Sequence, residues 1–285
     1  MINLANKTAV ITGSTRGFGL AIAQAILQAG GNVIISSRSQ NAVDKTLELL
    51  NAGNRAAGLA CDVSDLEQVR ALAAAAIEKF GSFEIWVNNA GTSGPYGPTS
   101  KVSPQAFHTV INTNITGAYH GTKVALEHFL PRKTGKLINI LGHGYKSPVP
   151  FQSAYASSKA WLRSFTMAVA QENSDSAVGI FAFNPGMMLT ELLTDVDVVA
   201  GSEEKLKVFP TIIRMWARPP QVAAQKAAWI ASSETDGKTG KLYNLHSFGH
   251  TLSGALKEGW RRITKQAGKP LQINMHSIPP YKQPE

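Results

Sequence analysis

The segment TAVITGSTRGFGLAIAQAILQAG, Thr8–Gly30, decides how the chain folds. TAVIT, Thr8–Thr12, reads as a buried strand, a short apolar run rich in β-branched residues. Gly13, Gly17 and Gly19 then punctuate a turn, and GLAIAQAILQAG has the composition of a helix. Glycines between a strand and a helix permit a tight turn and let backbone N–H groups at the helix N-terminus approach a pyrophosphate. Ser14, Thr15, Arg16 and Phe18 complete the turn and join the three glycines as candidate dinucleotide contacts.

The alternation continues outward. NVIISS (Asn32–Ser37) is a second strand, followed by a helical stretch from about Asn41 to Asn51. RAAGLA leads into CDVSD, where Ser64 is placed to cap an alanine-rich helix. FEIWVNNAG gives a fourth strand, GKLINI (Gly135–Ile140) a fifth, VGIFAFNPG (Val178–Gly186) a sixth and KLYNL (Lys241–Leu245) a short seventh. Apolar strands separated by helices predict a parallel sheet covered on both faces. Right-handed crossovers make it a doubly wound α/β sheet, a seven-stranded Rossmann fold whose ligand lies at the carboxyl ends of the strands. The alternation stops near Ser247, so we divide the chain into a Rossmann-fold catalytic domain, 1–246, and a C-terminal extension, 247–285.

The end of the second strand bears on the choice of cofactor. NAD-selective sites place a carboxylate there for the ribose hydroxyls. Here the residues are Ser36, Ser37 and Arg38, with Arg16 in the glycine turn. Two guanidinium groups and hydroxyl donors suit a 2′-phosphate, so the expected cofactor is NADP (NADPH).

Hydrophobic residues make up 44% of the 285 and charged residues 16%, which allows a packed core and argues against global disorder. Cys61 is the single cysteine, so no internal disulfide forms. MINLANKTAV has no basic region followed by an apolar run, and no apolar stretch approaches the roughly 18 residues of a membrane span. A soluble cytoplasmic protein is expected. The net charge of +9 comes from scattered residues, a generally basic surface rather than a nucleic-acid interface. No nucleic-acid partner and no metal site are expected.

Five ordered motifs resemble the short-chain dehydrogenase/reductase family: TGSTRGFG its glycine turn, NNAG (Asn88–Gly91) the segment after strand four, NTNITG the helix with Asn114, YASSK the Tyr155–Lys159 pair, and NPGMMLT the element with Pro185, Gly186 and Thr190. The resemblance spans about 240 residues. It implies an NADPH-dependent reduction of a carbonyl to an alcohol, with Tyr155 as general acid. Lys159, one helical turn later, would lower a tyrosine pKa that is ordinarily about 10. Asn114 would hold a water in the proton relay. The resemblance also implies that Asp62 and Val63 lie beside the adenine, that Asn89, Ala90 and Gly91 form a ledge near the cofactor, and that Thr190 bonds the carboxamide. Thr190 also suits a helix N-cap. A homodimer or homotetramer is implied, packed through the helices carrying Asn114 and Tyr155.

One position departs from the family. A serine about thirteen residues before the tyrosine helps polarise the carbonyl; here Leu141 and Gly142 stand where the family has two serines. Loss of one such donor costs roughly 10²–10³ in turnover. Candidate replacements are His143, the backbone N–H groups of Gly142, His143 and Gly144, and Ser147 or Ser153. The alternative is a catalytically silent NADP-binding sensor or assembly protein. The glycine-rich loop, NPGMMLTELL and ARPPQVAA resemble the chlorophyll b reductase-like members, although Leu141 replaces an acidic residue there. That subgroup implies a bulky, apolar carbonyl substrate.

Between Gly186 and Pro219, Met187, Met188, Leu192, Leu193, Phe209 and Trp216 suit an apolar substrate pocket or ordinary core. In the extension, Leu252, Leu256, Trp260 and Ile263 repeat at helical spacing, with Lys257, Arg261, Arg262 and Lys265 near the opposite side. Such a helix packs on its own domain or a neighbouring subunit, or touches an anionic membrane peripherally. SIPPYKQPE reads as extended.

Overall fold

A computed structural model of the chain describes residues 2–245, 248–264, 271 and 273–282. Its strands are β1 (Thr8–Ile11), β2 (Asn32–Ser37), β3 (Ala56–Ala60), β4 (Ile85–Asn88), β5 (Lys136–Ile140), β6 (Gly179–Asn184), β7 (Asp195–Val199), β8 (Lys241–Asn244) and β9 (Asn274–Ile278). The helices α1 to α6 are Gly17–Gln28, Gln40–Leu50, Leu66–Phe80, Pro104–Ile111, Gly117–Arg132 and Ser153–Glu172. Then come α7 (Glu191–Thr194), α8 (Phe209–Trp216), α9 (Pro220–Ala231) and α10 (Phe248–Ile263).

Seven strands form one parallel sheet in the order β3-β2-β1-β4-β5-β6-β8, the expected doubly wound architecture. Alternate residues of each strand point to opposite faces, and both faces are covered. Ala9, Ile11, Val33 and Ile35 pack with buried residues of α1 and α9. Val10, Ile34, Trp86 and Leu137 pack with α3, α5 and the end of α6. Each fully buried Val, Leu or Ile contributes about 1.5–3 kcal/mol, so two cores of this size dominate the stability of the sheet. Asp65, not Ser64, caps α3: its carboxylate accepts from Glu67 and Gln68 N–H, while the Ser64 hydroxyl donates to Asp62.

The order reverses between β1 and β4, which opens a crevice at their carboxyl ends. Thr12 ties its two sides together, its Oγ1 accepting from the N–H groups of Asn89 and Ala90, each at 3.1 Å.

A second, two-stranded parallel sheet joins the segment after β6 to the C-terminal extension: β7 pairs with β9 from Asp195↔Asn274 to Val199↔Ile278. Tyr96 binds the other edge of β7, donating from its N–H to Asp197 O and accepting from Val199 N–H. Tyr96, Val196, Val198 and Leu206 form the buried cluster beneath. β7 has the alternating pattern of a half-buried strand, with Asp195 and Asp197 exposed. α10 packs on α8, where a Cβ at Gly254 would collide with Met215 O. Leu256, Trp260 and Ile263 point outward from α10. Lys265 and the side chains of Leu252, Lys257 and Arg262 lie outside the described residues. No helix among the described residues is long and apolar enough to cross a membrane.

Candidate active site

The glycine turn is built for close approach. Gly13 has φ +61° and Gly17 φ +55°, the left-handed region that glycine adopts without strain. A Cβ on Gly13 would lie 2.8 Å from Ala90 Cα, and one on Gly19 would meet the Asn89 amide at 2.5 Å. Asn89 Nδ2 donates to the carbonyls of Thr12 and Gly13, both at 2.9 Å. The bare turn at the N-terminus of α1 is a cradle that any side chain would fill, and it fits a dinucleotide pyrophosphate.

Side chains in the turn mostly serve the protein. Ser14 is fully buried, donating to Ile11 O at 2.6 Å and accepting from Ser36 N–H. Phe18 enters the core beside Phe183, and Thr15 O accepts from Thr46. Arg16 pairs with Glu191 at 2.8 Å, with both side chains mostly exposed. Of the two arginines expected on a 2′-phosphate, Arg38 is thus exposed at the end of β2, whereas Arg16 is drawn across the crevice. Ser37 bonds locally to Ser39. Asp62 accepts from Ser64, and Val63 is buried, its O contacting His120.

The loop after β6 covers the turn. Gly186, following Pro185, has φ +77° and donates to Asn184 Oδ1. Thr190 stands at the N-cap of α7, yet its hydroxyl makes no capping hydrogen bond. A Cβ on Gly17 would touch Thr190 Cβ at 3.5 Å. Glu191 and its pairing with Arg16 were not anticipated, because nothing in sequence spacing joins residues so far apart.

Tyr155 and Lys159 occupy the first turns of α6. Lys159 is buried and donates to Ile140 O at 3.0 Å. Asn114, also buried, lies in a π-helical turn, Asn112–Thr116, between α4 and α5. Such turns often mark functional positions. Its Oδ1 accepts from Thr92 N–H, and its Nδ2 donates to Thr92 O and Ser158 Oγ. The point where a Gly91 Cβ would sit is 3.3 Å from Asn114 Oδ1 and 3.6 Å from Lys159 Nζ, so Gly91 keeps the space between them open.

Burial raises the Tyr155 pKa to about 12 and lowers that of Lys159 to about 8. The expected depression of the tyrosine pKa is therefore not met here: burial sets its direction, and the Lys159 ammonium donates to Ile140 O. Tyr155 is held in its protonated, donor form.

Gly142 lies against Tyr155. A Cβ there would collide with Tyr155 Oη and stand 3.2 Å from Cζ and 3.5 Å from Lys159 Cε. Gly144, at φ +97°, presses on α6 in the same way: a Cβ there would lie 2.5 Å from Ala156 Cβ. The tyrosine hydroxyl occupies the volume a serine side chain would need.

Tyr155 also lines a mostly apolar cavity of about 270 Å³, with walls that include Pro95, Val102, Phe107, Val110 and Phe151. His143 is exposed and is not among the residues lining this cavity. Ser147 is exposed outside the cavity, and Ser153 lies at its exposed rim, bonded to Thr99 at 2.8 Å. Of the residues expected in an apolar pocket, Met187, Met188, Leu192, Leu193, Phe209 and Trp216 are all absent from this lining. Met188 packs against the core on the α1 side of the sheet, and the Phe209 ring lies tilted against Tyr96. Among the described residues no group of three or more His, Cys, Asp or Glu side chains could hold a metal ion.

Residues 7–198 match the short chain dehydrogenase family. Glucose 1-dehydrogenase 2 of Bacillus subtilis is 32% identical over 241 residues, 84% of this chain and 92% of that one. A probable chlorophyll(ide) b reductase of Arabidopsis thaliana is 34% identical over 227 residues, 73% of this chain and 45% of its own length. The crystal structure of 3-ketoacyl-(acyl-carrier-protein) reductase from Brucella melitensis complexed with NADH is similar at TM-score 0.77 and 28% identity, covering 87% of this chain and all of that one. The chain belongs to the short-chain dehydrogenase family, oxidoreductases that interconvert carbonyl and alcohol with a nicotinamide dinucleotide.

Proposed function

We propose that the protein is an NADPH-dependent reductase of apolar ketones or aldehydes, with Tyr155 as proton donor. The observation that carries this reading is the assembly of Tyr155, Lys159 and Asn114 beside the glycine turn, with Tyr155 opening onto the apolar cavity. When bound, the dinucleotide supplies the hydride for the carbonyl carbon.

The protein's own residues do the rest. The glycine turn would hold the pyrophosphate, Asn89, Ala90 and Gly91 would form a ledge near the dinucleotide, and Thr190 would hold the carboxamide. Arg38 recognises the 2′-phosphate, with no carboxylate at the end of β2 to repel it. Tyr155 Oη gives its proton to the carbonyl oxygen as the C–H bond forms, leaving an alcohol and a tyrosinate. The Lys159 charge stabilises that tyrosinate, and the proton is replaced from solvent through Lys159 and a water held by Asn114 in the gap kept open by Gly91. Self-association as a homodimer or homotetramer through α5 and α6 belongs to the same reading. It is supported by Tyr119, 46% exposed on α5 and edge-on to Phe165 of α6.

The test is NADPH oxidation with a panel of aldehydes and ketones, for wild type and Tyr155→Phe. The variant should turn over about 10²–10⁴-fold more slowly, with dinucleotide affinity within about twofold. Equal inertness of both proteins while NADPH still binds would instead establish a silent binding role.

A further inference from the structure

Beyond residue 198, where the family match ends, the chain adds a strand that is tied to one wall of the cavity beside Tyr155. β9 lies in register with β7, Val196 opposite Met275 and Val199 opposite Ile278, and Ala200 N–H donates to Ile278 O at 2.8 Å. On the other edge of β7, Tyr96 N–H donates to Asp197 O at 2.9 Å and Tyr96 O accepts from Val199 N–H at 2.8 Å. Shortly after β9, Tyr281 N–H donates to Lys101 O at 2.9 Å. The extension therefore holds the loop after β4 at two points, through β7 at Tyr96 and directly at Lys101.

Those two points bracket the cavity wall: Gly97 and Thr99 lie between them, with Pro95 and Val102 just outside. The same loop is joined to the start of α6, which carries Tyr155. Gly97 N–H donates to Phe151 O at 3.0 Å, Thr99 bonds to Ser153, and the Tyr96 hydroxyl bonds to the Gln152 side chain. A Cβ on Gly97 would stand 2.5 Å from Val199 Cγ2, so the loop lies close against β7. Ile273 and Met275 pack on the cluster of Tyr96, Val196, Val198 and Leu206, which is the apolar seat of β9. Its exposed side is tied by His276 to Asp195 at 2.7 Å and by Ser277 to Glu203 at 2.9 Å.

We infer that β9 is a positioning element of the substrate site: it fixes the 95–102 wall relative to Tyr155 and so sets which carbonyl compounds the cavity accepts. No residue of β9 lines the cavity, so the strand acts through the loop. Surface loops are ordinarily among the more mobile parts of a fold. Held on both sides, this one presents a preformed apolar wall, which lowers the ordering cost of binding. At about 270 Å³ the cavity favours compact apolar ketones over bulky ones. Release of β9 takes the wall away from compact substrates and gives bulky ones room.

The inference rests on the carbonyl-reductase reading, and the experiment separates the two. Met275→Asp and Ile273→Asp each put a carboxylate against the apolar seat and release the strand without touching a cavity-lining residue. Met275→Leu keeps the seat. Amide hydrogen exchange, and kcat/KM for a monocyclic and a fused tricyclic ketone, are measured on the full chain. In the Asp variants exchange at residues 95–102 should quicken at least about tenfold, with the glycine turn, 13–19, unchanged. The ratio of kcat/KM, monocyclic over tricyclic, should fall about fivefold through KM, with dinucleotide affinity within about twofold. Met275→Leu should behave as wild type. Dinucleotide titration identifies the Asp variants that are folded, and either one suffices. Quickened exchange in β9 with none at 95–102, or an unchanged ratio, overturns the inference and leaves the reductase reading standing. If wild type reduces neither ketone, that reading fails, while quickened exchange at 95–102 still shows that β9 holds the wall.

Discussion

Two glycine loops leave the carboxyl end of the same parallel sheet, one from β1 into α1 and one from β5 into α6, and they need glycine for different reasons. In the first, Gly13 and Gly17 have positive φ, and Gly13 and Gly19 press on backbone and on the Asn89 amide. Conformation and close packing both exclude a side chain there. In the second, Gly142 lies outside the positive-φ region, so any residue could adopt its backbone. What excludes a side chain at Gly142 is the Tyr155 hydroxyl. The first loop is fixed by backbone geometry; the second is fitted around the Tyr155 side chain.

The largest effect should follow from the first loop. Gly13→Val forces a β-branched residue to φ +61° and places its Cβ 2.8 Å from Ala90 Cα. Dinucleotide affinity by fluorescence titration should fall about a hundredfold, with stability lower by about 1–3 kcal/mol. Near-normal binding would show that the turn tolerates a side chain and would remove the contrast.

The second loop is probed through its charge. Lys159, with a pKa lowered to about 8, is protonated below that pH and neutral above it. Tyr155, raised to about 12, keeps its proton throughout. The reductive rate should therefore fall about tenfold between pH 7 and pH 9 as the lysine charge is lost. In Lys159→Arg the charge persists, and that fall should vanish whatever the absolute rate.

Smaller effects belong to the rim of the crevice. Arg38→Ala should weaken NADPH about fivefold and hardly affect NADH. Glu191→Gln should release Arg16 and strengthen NADPH by about twofold or less, since the pair is exposed. Equal effects of Arg38→Ala on both dinucleotides would remove the case for NADP.

Much of this was legible in the sequence because it depends on local pattern. Strand and helix periods predict the seven-stranded sheet, and the glycines of TGSTRGFG mark the turn through the backbone they require. The β7–β9 pair was harder. DVDVV alternates as a strand does, but its partner lies some eighty residues away in a segment with no strong β signature. Glu191 is an ordinary polar residue in sequence; only a long-range pairing sets it apart. The Tyr155 pKa could not be read from the Tyr–Lys spacing, because desolvation by the surrounding fold decides its direction.

The central claim is that Gly142 is the seat of the Tyr155 hydroxyl rather than a lost serine. The most direct measurement is kcat of Gly142→Ser with a ketone that wild type reduces, taken alongside dinucleotide affinity. The added side chain must displace Tyr155 from its position, and misplacement by about 1 Å can cost 10²-fold, so kcat should fall at least about tenfold with dinucleotide affinity nearly unchanged. A rise in kcat would contradict the account and show that the site merely lacks a donor.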